Sequence, residues 1–173
     1  TEVAFVQSLS KAQREFRLYL PLYNGVDRVE IGIPKGAEIK AVPASTGKPV
    51  VIYGSSIIQG FGASRAGMNV GSILGRRLNR EVINLGFSGL CKMEPELADL
   101  LAELDPALFV IDCLPNMTAE EITQRTVSFV KKIRSVRPNT PILMVEHPNY
   151  AHTSWDVEAR ESIKEKNAAF LQQ

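Results

Sequence analysis

Two serines stand where a short apolar run meets a cluster of small residues: Val50-Val51-Ile52-Tyr53 leads into Gly54-Ser55-Ser56-Ile57-Ile58-Gln59-Gly60. A serine at a strand-to-helix turn can act as a nucleophile once a base removes its proton. The helix N-terminus and neighbouring amides can then hold the negative oxygen formed on attack. Two later segments follow apolar runs in the same way, Gly86-Phe87-Ser88-Gly89 and Asp112-Cys113-Leu114-Pro115-Asn116. A loop glycine lets its N–H approach an oxyanion closely, and an Asn carboxamide adds a donor. Ser56, Gly89 and Asn116 thus make a chemically sensible nucleophile and oxyanion hole. The same residues also read as a tight turn in which Ser55 or Ser56 caps the next helix.

For those segments to meet, the elements before them must end at one edge. Val50–Tyr53, Val82–Leu85, Leu108–Ile111 and Ile142–Val145 are short, largely apolar runs, as strands covered on both faces require. Amphipathic helices are expected between them. Leu97, Leu100, Leu101 and Leu104 share one face, and Thr118 with Glu121 forms a capping box ahead of Ile122, Thr126, Phe129, Val130 and Ile133. A last helix, opened near Ser154 or Asp156, carries Ile163, Asn167, Phe170 and Leu171. Strand–helix alternation at this spacing predicts an α/β, doubly wound parallel sheet. In such sheets ligands lie beyond the carboxyl ends of the strands, which is where all three segments fall.

The chain before Pro49 is different. Phe16, Leu18 and Leu20 alternate with Arg17 and Tyr19, and Val29, Ile31 and Ile33 alternate after Asn24-Gly25. This predicts a hairpin over about residues 14–33, which needs something to pack on. Residues 41–49 read as a linker, so the expected division is a small β segment over 1–48 and an α/β domain over 49–173.

Composition narrows the function classes. Lys plus Arg number 20 and Asp plus Glu 19, a net charge of +1, so no strong field draws the chain to nucleic acid or anionic lipid. A hydrophobic content of 45% is that of a globular protein, and no apolar run approaches the ~18 residues of a membrane span. Two His and two Cys exclude an HExxH site, a His cluster and a Cys-rich zinc site. Thr1 rather than Met opens the sequence, as in a processed or trimmed chain.

IYGSSIIQG, INLGFSG and VIDCLPN, in that order and spacing, resemble the first three sequence blocks of the SGNH (GDSL-type) hydrolases. The resemblance covers about residues 49–172 and is nearest to the branch with an N-terminal β-sandwich domain, whose end FRLYLPLYNGVDRVEIGIPKGAEI resembles. It implies a flavodoxin-like sheet, esterase or carbohydrate deacetylase activity, and no metal or organic cofactor. It also implies Ser56 as nucleophile, with Gly89 and Asn116 in the oxyanion hole. Ser55 stands where the family usually has Asp. Relatives with this accessory domain are often bacterial and exported, which sets the expected location.

One block of that pattern is missing. No Asp-x-x-His, the family's source of base and orienting carboxylate, occurs in these residues, and the expectation is a fragment whose base follows Gln173. His147, with Glu146 as orienter, is the candidate substitute; the plainer reading is a loop histidine lining the pocket or capping a carbonyl. His152 reads as solvated. Arg65 could bind a substrate carboxylate or sugar hydroxyl, or be a surface charge. Cys91 and Cys113 read as buried or bystander thiols, and Asp112 as a carboxylate paired at a strand end. Tyr150 and Trp155 could form a carbohydrate platform or pack under the last helix. The rival to an esterase is a binder of sugars or peptides that keeps the pocket without the base. A nucleotide binder using Gly54–Gly60 is disfavoured, because that loop lacks Lys.

Overall fold

The structure, a computed structural model, describes residues 8–10 and 12–173. Any β reading of residues 1–7 and 11 lies outside the described residues. Four parallel strands, β1 (Val50–Gly54), β2 (Val82–Gly86), β3 (Leu108–Asp112) and β4 (Ile142–Met144), form one sheet in the order β2-β1-β3-β4. Among the described residues five α-helices accompany them: α1 (Ser56–Gln59), α2 (Val70–Leu78), α3 (Pro95–Glu103), α4 (Ala119–Val136) and α5 (Val157–Leu171). The architecture is the expected α/β sandwich.

The period of two along each strand sorts side chains between two layers. Val50, Ile52, Val82, Leu108 and Val110 face Ile58 of α1 and Leu74 of α2. Val51, Tyr53, Phe109 and Ile111 face the other way, onto Leu101 of α3, Ile122, Phe129 and Ile133 of α4, and Phe170 of α5. β1 is buried along its whole length, whereas β4 is an edge strand among the described residues, with Leu143 exposed. The expected capping box is present: Thr118 Oγ1 accepts from Glu121 N at 3.1 Å, and Glu121 Oε2 accepts from Thr118 N at 2.9 Å. Asp156 caps α5.

Helix α2 carries two glycines, Gly71 and Gly75, which lower its intrinsic helix propensity. They are the residues that let it lie close to the sheet. A Cβ on Gly71 would stand 3.3 Å from the Asn84 carboxamide, and one on Gly75 would stand 3.2 Å from the Arg80 carbonyl.

Among the described residues before Val50 there is no strand, so the hairpin predicted for residues 14–33 is not formed. Neither Asn24 nor Gly25 has the positive φ of a tight hairpin turn. Phe16, Leu18, Leu20, Val29, Ile31 and Ile33 are all exposed. A two-stranded ribbon is marginal without a surface to cover, and these side chains have none among the described residues. The segment instead reaches the α/β unit through residues 19–23. Arg76 donates to Tyr19 Oη at 3.0 Å, and Gln59 Nε2 donates to the Leu22 carbonyl at 3.2 Å.

Candidate active site

The sheet register places the three loops together. Gly54, the last residue of β1, lies opposite Gly86 of β2 on one side and Asp112 of β3 on the other. The segments carrying Ser56, Gly89 and Asn116 therefore leave the sheet at one level, from three adjacent strands. Phe87 joins them: its N–H donates to the Gly54 carbonyl at 2.8 Å, and its own carbonyl accepts from Asn116 Nδ2 at 3.2 Å.

Of the two serines, Ser55 takes the capping role that the sequence left open. Ser55 is the helix cap; it is buried, donates its N–H to the Asp112 carbonyl at 3.0 Å and accepts from Ile57 N at 3.4 Å. Ser56 is the first residue of α1 and half-buried, so its N–H has no partner inside the helix. α1 is only four residues long, so it offers the dipole of a single turn, less than a full helix would supply. An anion at this rim would depend on discrete donors more than on the helix dipole. Gly89 is exposed and has φ +75°, which favours glycine, and a Cβ added there would meet nothing within 4 Å. Its N–H donates to no protein acceptor among the described residues. Asn116 spends one amide hydrogen on Phe87 and keeps the second free.

Other expected residues fall outside this cluster. Arg65 borders a depression of about 380 Å³ with Leu18, Tyr19, Met68 and Arg76, which contains none of Ser56, Gly89 and Asn116. His147 is buried; its Nδ1 lies 2.7 Å from the Pro148 carbonyl, its backbone N–H donates to Asn167 Oδ1, and its ring meets Tyr150 edge-on. Burial holds this imidazole below its usual pKa; the Pro148 carbonyl opposes that, and the Lys166 charge adds to it. No hydrogen bond among the described residues joins it to Ser56 or Glu146, so the structure gives the substitute base no support. His152 stacks on Tyr150. Trp155 is exposed rather than packed under α5.

Two expectations are corrected. Cys91 and Cys113 are not separate thiols but a disulfide, with Cα atoms 5.3 Å apart across 22 residues of sequence. It ties the Gly89 loop to the Asn116 loop. Asp112 is not a paired carboxylate: it is buried, its Oδ1 has no partner among the described residues, and burial raises its pKa to about 6. Among the described residues no group of three or more His, Cys, Asp or Glu could hold a metal ion, and no helix is long and apolar enough to cross a membrane.

Sequence reasoning missed Phe87 and Gln59. Phe87 acts through its backbone, which no residue type reveals. Gln59 is a polar residue at the end of an otherwise apolar Ile57-Ile58 stretch, a signal that was readable. Its Oε1 accepts from Ser88 N at 2.8 Å.

Comparison with known proteins gives a family and a fold. Residues 47–173 match the model of the GDSL-like lipase/acylhydrolase family, and residues 1–39 match that of the N-terminus of SGNH-hydrolase-type esterases. A solved structure from Bacteroides ovatus ATCC 8483, described as a GDSL-like lipase, is 41% identical with a TM-score of 0.86; the match covers 90% of this chain and 46% of that one. This chain thus spans about half the length of that neighbour. The salicylyl-acyltransferase SsfX3 from a tetracycline biosynthetic pathway (18% identity, TM-score 0.63, 75% of this chain and 39% of that chain) shares the fold. So does the SGNH-hydrolase esterase AlinE4 (16% identity, TM-score 0.56, 75% of this chain and 72% of that chain). Among curated proteins none matches this chain.

Proposed function

The chain belongs to the GDSL-like lipase/acylhydrolase family, and on that premise we propose that it carries the nucleophile and oxyanion hole of a serine ester hydrolase. The observation that supports this most is the Phe87 junction, which binds the loops of Ser56, Gly89 and Asn116 to one another. In the proposed reaction Ser56 Oγ attacks the ester carbonyl carbon and gives its proton to a base. The carbonyl oxygen, now negative, takes hydrogen bonds from the N–H groups of Ser56 and Gly89 and from Asn116 Nδ2. Collapse of this intermediate expels the alcohol, which leaves with the proton, and an acyl-enzyme remains on Ser56. Water then attacks the acyl carbon, releasing a carboxylic acid and restoring the hydroxyl.

The base in this reading is the family's Asp-x-x-His block, a motif that does not occur among these 173 residues. The substrate class is a small or carbohydrate-borne ester, with deacetylation of a sugar as the specific form, and the location is the bacterial periplasm or exterior. Arg65 and His147 are at most peripheral contacts for such a substrate. Turnover of p-nitrophenyl acetate by the full-length protein tests the reading. Ser56→Ala should remove nearly all of it, and unchanged turnover would overturn the assignment.

A second reading is favoured by one observation: no imidazole among the described residues hydrogen-bonds to Ser56. It is a pseudo-hydrolase that binds a sugar or peptide without chemistry. Mass spectrometry after treatment with a serine-directed phosphonate separates the two, because only an activated Ser56 takes up the label.

A further inference from the structure

We infer that Gln59 is a positioning residue for the oxyanion hole, its carboxamide joining the N-terminal segment to the Ser88 amide and so fixing the direction of the Gly89 N–H. The inference rests on the acyl-enzyme reading of Ser56 and extends it to a group that touches no substrate.

Gln59 ends α1, three residues after Ser56, and that helix end is pinned on several sides. Asn84 Nδ2 donates to the Ile58 carbonyl at 2.6 Å. Gly86 lies so close that a Cβ on it would collide with the Gln59 backbone. Gly60 takes φ +116° beneath the Leu22 side chain. With its backbone held, the half-buried Gln59 side chain has little freedom and makes two bonds of opposite sense. Its Nε2 donates to the Leu22 carbonyl at 3.2 Å and its Oε1 accepts from Ser88 N at 2.8 Å. Only a neutral carboxamide of this length satisfies both ends. A carboxylate would face the Leu22 carbonyl oxygen, and an ammonium would face the Ser88 N–H.

The Gly89 amide is flanked by two anchored neighbours. Ser88 N is held by Gln59, and Leu90 N donates to the Phe87 carbonyl at 3.2 Å. Ser88 and Gly89 are exposed and glycine resists little torsion, so without Gln59 nothing holds the Ser88 amide between the Phe87 junction and the Leu90 bond. Tyr23 adds a second link from the same segment, its Oη donating to the Ser56 carbonyl at 3.4 Å. A cavity of about 900 Å³ separates much of the segment from the domain, with Arg17 and Tyr19 on one wall and Asn69 and Asn84 on the other. That leaves Gln59 among few bridges.

The experiment uses the full-length protein, p-nitrophenyl acetate kinetics and amide hydrogen exchange of residues 86–91 and 19–23. Gln59→Met keeps the length and removes both bonds. It should lower kcat about 10- to 100-fold, the scale of a misplaced oxyanion donor, with KM within about threefold. Exchange should rise in both segments. Gln59→Glu keeps the acceptor for Ser88 and loses the donor to Leu22, so exchange should rise in residues 19–23 and stay at the wild-type level in residues 86–91. That variant decides the matter if Gln59→Met does not fold. Unchanged kcat or unchanged exchange at 86–91 in folded Gln59→Met overturns this inference alone. If Gln59→Met does not fold, faster exchange at residues 86–91 in Gln59→Glu overturns it. A wild-type protein that neither turns over ester nor labels at Ser56 overturns the reading beneath it as well.

Discussion

Leu18 and Val51 both sit in stretches with a strand-like run of apolar residues, yet Leu18 is 48% exposed and Val51 has no exposed surface. The difference is the partner. Val51 lies between β2 and β3, with α4 against its side chain's face. Leu18 alternates correctly along a segment that has no sheet to join among the described residues. Alternation specifies which face is to be covered; a strand forms when a second surface covers it. The α/β unit supplies its own, because each βαβ step brings the next strand and its helix together.

If that is the right distinction, substitutions should sort by layer. The largest effect is expected at Phe129, which stacks on Tyr53 with ring centroids 5.7 Å apart in the buried layer. Phe129→Ala should cost about 3–5 kcal/mol in urea unfolding. Next comes Asp112, a polar exception on the buried side. Its folded pKa of about 6 lies above the unfolded 3.8, so the native carboxyl keeps a proton that the unfolded one releases. Its contribution favours folding below the unfolded value and is lost as pH rises through about 6. Asp112→Asn should therefore raise stability on the order of 1–2 kcal/mol at pH ~8 and have little effect at pH ~4, as read from denaturation midpoints.

A smaller loss, about 1 kcal/mol, is expected for Thr118→Ala, which removes the side-chain half of an exposed capping box without touching either layer. Smallest of all should be Leu18→Ser, within about 0.5 kcal/mol. A loss at Leu18 comparable with that at Phe129 would break the comparison and show that the segment is packed after all.

The parts legible in the sequence were those encoded locally. The apolar runs marked all four strands, and Thr118 with Glu121 marked the start of α4. The shared rim follows from parallel strands in one sheet, while right-handed βαβ connections narrow the strand orders without singling out β2-β1-β3-β4. Ser56, Gly89 and Asn116 were legible as loop residues; their union through Phe87 was not, since it uses backbone groups that every residue type possesses. Gly71 and Gly75 hid α2 because the demand for close approach outweighs helix propensity there. Asn24-Gly25 promised a turn that the backbone does not make, since no paired strand pulls the two residues to positive φ. Pairing of Cys91 with Cys113 needs the two loops to be adjacent, a fact of tertiary placement that cysteine spacing does not carry.

The Cys91–Cys113 bond makes a covalent ring of the stretch that contains α3 and β3. A protease that nicks the chain anywhere inside this ring cannot release a piece of the domain. The two products migrate as one band without reductant and as two with it. The rims bearing Gly89 and Asn116 would remain tethered through such damage, so loss of activity after nicking and loss of activity after reduction are separate events that one gel and one assay tell apart.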